Sequence, residues 1–133
     1  MSATIGDHET PLINLNPNMR PSSTMINIQE KNPTTGGYGP IKPNGIYETG
    51  SHKTVHELLT SMKDMQPKGT MIHAEVHYHR DDIKAQQEEL AGQIAKSPNF
   101  SESAMPGGLG RQLAINAEAA RRVPTKAGTS FKA

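Results

Sequence analysis

"MIHAEVHYHRDD", residues 71–82, decides the fold. Read with period two, Ile72, Ala74, Val76 and Tyr78 fall on one side, and His73, Glu75, His77 and His79 on the other. A strand has one face for the core, and the apolar set is the one that gains from burial. The stretch therefore predicts a strand packed through Ile72, Ala74, Val76 and Tyr78, with the imidazoles on its polar face. Asp81 or Asp82 then suits the cap of a following helix, because a carboxylate satisfies amides that have no intrahelical partner.

Working outward, the flanks of this strand read as helices. Thr54 and Glu57 have the spacing of a capping box. Val55, Leu58, Leu59, Met62 and Met65 follow with helical spacing, and Pro67 and Gly69 end the run. On the other side, Ile83, Leu90, Ala91 and Ile94 mark a helix to about Lys96, with Gln87 where a further apolar residue would complete the stripe. Ser97-Pro98-Asn99 stops it. Residues 51–96 thus form a small helix-strand-helix unit. One strand is not a stable sheet, so its partners must come from the N-terminal region, another copy or another protein.

The two outer regions carry weaker signals. Residues 1–50 hold Pro11, Pro17, Pro21, Pro33, Pro40 and Pro43 and five glycines between 36 and 50, and no helical period survives there. "TMINIQ", residues 24–29, alternates Thr24, Ile26 and Ile28 against Met25 and Asn27, the pattern of an edge strand. This region is expected to act as an extended arm with no helix longer than about two turns, anchored on partners through Leu12, Leu15, Ile26, Ile28, Tyr38 and Tyr47. Residues 97–133 read as a loop, a short helix and a basic tail. Leu109, Leu113, Ala117 and Ala120 fall on one helical stripe, Pro124 ends the helix, and Arg121, Arg122, Lys126 and Lys132 follow the last acid, Glu118. The fold class expected is α+β, with a small central unit between irregular N-terminal and C-terminal arms.

Composition narrows the function. The chain has 133 residues, 33% hydrophobic and 4% aromatic, with no Trp. That is one domain at most, with a thin core. A net charge of +1 gives no global field to attract nucleic acid or an anionic membrane. There is no Cys, hence no disulfide, thiolate metal site or Cys nucleophile. The stretch "MSATIGDHETPLINLNPN" lacks the basic and apolar runs of a signal peptide, and no segment has the apolar length of a membrane span.

The polar face of residues 73–79 is the one stretch with the residue types of a reactive site. "HYHRD", residues 77–81, resembles the H-x-H-x-D element of the metallo-β-lactamase family through His77, His79 and Asp81. That resemblance implies a metal-dependent enzyme built on a two-sheet sandwich with further ligands downstream. The chain departs from it at Asp82, where the family has His, and no His follows His79. His77 and His79 are also similar to the His-x-His pairs of trimeric phage spike and fibre tips, which implies six nitrogen ligands around a three-fold axis. The competing reading is a solvated, His-rich strand face, and it is the one expected: no catalytic metal, no cofactor and no enzymatic activity. "GGLG", residues 107–110, precedes a helix and has free amides for an anion, while the basic tail can reach phosphates but lacks the interleaved aromatics that read bases.

These features point to a structural interaction protein, a small subunit of a large assembly. Its style matches bacteriophage virion components such as head-decoration, connector and tail or baseplate proteins. The expected partners are other protein subunits, including copies of the chain itself, and neither membrane nor nucleic acid. The expected location is the virion, with the cytoplasm as the alternative.

Overall fold

The strand read from residues 71–82 is present, and everything else is arranged around it. A computed structural model describes residues 12–96 and 108–133. In chain order the elements are β1 (Pro21–Gln29), β2 (Lys42–Glu48), α1 (His52–Met65), β3 (Met71–Tyr78), α2 (Arg80–Lys96), α3 (Gly108–Arg122) and β4 (Lys126–Lys132). The four strands form one antiparallel sheet in the order β2-β1-β3-β4. The α+β class holds, with the predicted helix-strand-helix unit as α1-β3-α2.

The strand partners left open by the sequence come from the flanking regions of the same chain. β1 lies in the interior of the sheet and pairs with β2 and β3 on its two sides, so the stretch expected at an edge is central. Nothing in the described part of residues 1–50 is helical, as the prolines require, yet the arm expected there is built into the chain's own sheet from residue 21 to residue 48. The basic tail ends in β4, which pairs with β3 from Met71↔Lys132 to His77↔Lys126. The physical reason is the one given for β3: a lone strand leaves its ladder groups and apolar side chains unsatisfied, and the nearest complementary strands belong to the same chain.

α1 closes one face of this sheet. Val55, Leu59 and Met62, at positions i, i+4 and i+7, are buried against Ile26 of β1 and Ile72, Ala74 and Val76 of β3. Ile13 completes this core, and Leu12, Leu15, Ile28, Tyr47, Ala127 and Phe131 pack partly against it. Thr24 and Thr49 are buried as a pair, their hydroxyls 2.9 Å apart. The cap of α1 is Ser51 rather than Thr54: the Ser51 Oγ accepts from the Thr54 amide at 3.1 Å, three residues on. The helix therefore starts one turn earlier than the Thr54–Glu57 spacing suggests.

A second core sits where the sheet meets the other helices. Met19, Tyr78 and Val123 are buried together, with Ile83 and Leu90 of α2 against them. Beyond it α2 and α3 pack on each other through Ile94, Ile115 and Ala119. Here the expected stripe of α3 is corrected. Ile115 and Ala119 face α2, while Leu113 is 59% exposed and Ala117 and Ala120 face solvent; the Leu109 side chain lies outside the described residues. The two stripes are about a third of a turn apart, and β-branched Ile115 fills the gap beside Ile94. Gly69 makes the turn from α1 into β3 at φ +95°, a conformation that disfavours any side chain.

Candidate functional site

α1 covers only one side of the sheet, so the other side is the surface on which chemistry or binding is available. β1 presents Ser23, Met25 and Asn27 there, opposite Glu48 and Ile46 of β2 on one flank and His77, Glu75 and His73 of β3 on the other. β4 adds Lys126, Gly128 and Ser130 opposite the same three β3 residues. The face predicted from period two is thus in place for His73, Glu75 and His77. His79 leaves it: the strand ends at Tyr78, the His79 amide donates to the Arg20 carbonyl at 2.8 Å, and its carbonyl accepts the Ile83 amide at 3.0 Å. His79 is the residue between β3 and α2, and its carbonyl takes the first hydrogen bond of that helix, so His77 and His79 do not share the strand.

Each imidazole of the face has hydrogen-bonding partners. Gln29 Nε2 donates to the Gly39 carbonyl at 3.1 Å, which turns Gln29 Oε1 toward His73 Nε2, 2.7 Å away. A carbonyl oxygen only accepts, so Nε2 carries the proton. In the neutral ring Nδ1 is then an acceptor, and the Ser130 hydroxyl 2.7 Å away donates to it. The ring of His73 is thus a cross-strand latch from β1 through β3 to β4, and its lone pair is already used. His77 Nε2 lies 2.8 Å from Glu75 Oε2, and Lys126 Nζ approaches the same oxygen at 3.6 Å. Glu75 therefore ties β3 to β4 electrostatically.

Between these groups lies a shallow depression of about 400 Å³ lined by Met25, Asn27, His73, Glu75, Gly128 and Ser130. It exists because Gly128, opposite Glu75, has no side chain to fill the space. Among the described residues no three His, Asp or Glu side chains converge as a metal-binding group.

At the opposite end of β3 a three-point ion pair joins Arg20, the residue before β1, to α2. Asp82 accepts from the Arg20 backbone amide at 2.7 Å, from its Nε at 2.9 Å and from a terminal nitrogen at 3.0 Å. The Arg20 side-chain and backbone hydrogen bonds hold the Asp82 carboxyl well below the ordinary range, at about 2, and the Arg20 guanidinium is raised in turn. Asp81 and Asp82 both lie in the first turn of α2. Asp82 there serves the Arg20 clamp, not the cap expected of Asp81 or Asp82.

Of the six proposed anchors, Ile26 is fully buried in the chain's own core, and Leu12, Leu15, Ile28 and Tyr47 pack partly against that core. Tyr38 is 38% exposed, and its hydroxyl donates to the Gly69 carbonyl at 3.0 Å. Five of the six are thus occupied within the chain. In the basic tail, Arg121 and Arg122 both pair with Glu118, whose carboxyl they hold low. Lys132 has no ion pair among the described residues. Met25 and Ile46, the apolar residues of the open face, are not among the anchors expected from the sequence. The signal was available for Met25, which alternates against Ile26, but not for Ile46, which lies in "KPNGIYE" behind Pro43 and Gly45. Among the described residues no helix is long and apolar enough to cross a membrane. No family model, curated protein or solved structure matches this chain.

Proposed function

We propose that the chain is a protein-interaction subunit of a larger assembly rather than an enzyme. The observation that carries this reading is the one-sided cover of the sheet among the described residues. On the uncovered face Ile46 stands 73% exposed beside its cross-strand neighbour Met25, within a surround of Ser23, Glu48, Glu75 and His77. An exposed apolar centre with a polar rim is the composition of an interface patch, and a flexible thioether beside it suits an adaptable contact. The depression next to it is open to water, which favours contact over reactions that rely on excluding solvent. The docking surface in this reading is a preformed face, not an arm that orders on its partner.

Within that class a bacteriophage virion component, in the head, connector or tail, is the assembly we favour. Its support is the chain's thin aromatic content and its abundance of Gly and Pro. The test is the native size of the chain in the cells that make it. The wild type is expected to elute in a species several times larger than its own 14.4 kDa. Met25→Glu combined with Ile46→Glu is expected to return it to monomer size with an unchanged circular dichroism spectrum. Elution of the wild type as a 14.4 kDa monomer overturns the proposal, and a stoichiometric metal lost on replacing His77 and His79 by Gln would favour a metal-dependent role.

A further inference from the structure

The two edges of the sheet are built differently. β2 is blunted: Pro43 lacks a donor, the register against β1 shifts at Ile26/Asn27, and Gly45 sits at φ +156°. β4 has no proline and pairs with β3 in unbroken register over seven residues. Its ladder side can be assigned from its ends. Tyr78 N donates to the Thr125 carbonyl at 3.1 Å, and Ala133 exchanges both of its backbone groups with Gly69 and Thr70. Backbone groups alternate along an antiparallel strand, so Ala127, Thr129 and Phe131 also turn toward β3. Lys126, Gly128, Ser130 and Lys132 turn their amides and carbonyls outward. Lys126, Ser130 and Lys132 carry their side chains on the open face, so each end of this edge, which has no strand partner among the described residues, is marked by a lysine.

We infer that the β4 edge is a strand-addition site for an extended acidic segment of another protein, with carboxylates opposite Lys126 and Lys132 and small residues opposite Gly128 and Ser130. This rests on the interaction reading above and names the chemistry of the partner. Backbone groups on an edge that has no strand partner among the described residues supply the affinity, and the side chains that flank them supply the choice. Charge selects against a second copy. The only antiparallel self-pairing that engages all seven residues is centred on Thr129 and sets Lys126 opposite Lys132 at both ends, where like charges repel. An acidic strand meets the reverse situation. Lys132 has no acidic partner among the described residues, and Lys126 shares Glu75 with His77 at 3.6 Å, a distance that leaves it able to take a second carboxylate. The absence of a side chain at Gly128 keeps the middle of the edge clear.

The test uses the full chain and two synthetic peptides, one alternating Glu, Val, Ser, Val, Ser, Val, Glu and the other with Lys at both ends. The acidic peptide is expected to slow amide hydrogen exchange at Gly128 and Ser130 and to bind about tenfold more tightly than the lysine peptide. Lys126→Gln combined with Lys132→Glu, both exposed positions, is expected to abolish that preference while leaving the melting transition in place. Equal binding of the two peptides, or protection elsewhere than on β4, overturns the inference. So does a free chain that sediments as a dimer with these amides already protected, which would make a second copy the occupant. A chain found in a large native assembly with an edge indifferent to the acidic peptide would sink this inference alone, whereas a native monomer that binds the peptide would sink only the assembly reading.

Discussion

Asp82 shows how one residue can hold two distant segments. Its carboxylate takes three hydrogen bonds from Arg20, across 62 positions of sequence, and so fixes the start of β1 to the start of α2. The pH consequence follows from the direction of the shift. The folded carboxyl is held at about 2 against an ordinary 3.8, so on acidification the unfolded chain takes up this proton first. The stabilisation is complete above the ordinary value and is lost as pH falls toward the folded one. Asp82→Asn should therefore lower the urea midpoint by a constant amount at neutral pH, with the gap to wild type closing between about pH 4 and pH 2. High salt should narrow the gap as well, because the Arg20 side chain is mostly exposed. A gap that stays the same down to pH 2 would mean that Asn loses something other than the charge.

At the scale of elements, α1 gives the clearest test of what the chain invests where. Ser51→Ala removes the side-chain acceptor of the Thr54 amide and should cost about 1 kcal/mol. Leu59→Ala empties a fully buried position where α1 packs on β1 and β3 and should cost about 2–5 kcal/mol. In chemical denaturation the midpoint should drop more for Leu59→Ala than for Ser51→Ala, and Thr54→Ala should be milder than either. An effect of Thr54→Ala equal to that of Ser51→Ala would move the cap back to the position suggested by spacing. The legibility of these elements in the sequence tracks how much apolar contrast they carry. β3 and α1 place large apolar residues at regular spacing, so their faces were readable directly. β2 was not, because Pro43 and Gly45 in "KPNGIYE" are turn residues by chemistry; only an edge position lets a strand carry them. β4 was hidden by its small polar residues, although Ala127, Thr129 and Phe131 do alternate against Lys126, Gly128, Ser130 and Lys132. The interior place of β1 could not be read at all, since it depends on which strands fall beside it. The candidate face inherits this split: the three β3 residues were legible, while Ile46, Gly128 and the Ser130 partner of His73 came from the two strands that were not.

The whole molecule is held by cores of unequal reach. The sheet core joins α1 to β1 and β3 and draws on residues from Ile13 to Phe131. The core of Ile94, Ile115 and Ala119 belongs to α2 and α3 alone. The link between them is narrow: Tyr78, Met19 and Val123, with Leu90 touching both the linking core and the helical one. Stability in such a molecule should be graded, because a unit with its own small core and few bridges can open without the rest. Ile115→Ala should therefore raise amide exchange through α3 and the second half of α2 while leaving the β1 and β3 amides at wild-type rates. Ile26→Ala acts on the strand shared by three elements, and it should raise exchange everywhere, helices included, and lower the global unfolding free energy by about 2–5 kcal/mol. Native-state hydrogen exchange read residue by residue distinguishes the two outcomes. Loss of protection in β1 and β3 upon Ile115→Ala would mean that the bridge through Tyr78 and Leu90 carries full cooperativity, and that the helical pair is part of the single folding unit. The graded result would instead leave the sheet, with its open face and β4 edge, as a platform that stays folded while the helical pair opens.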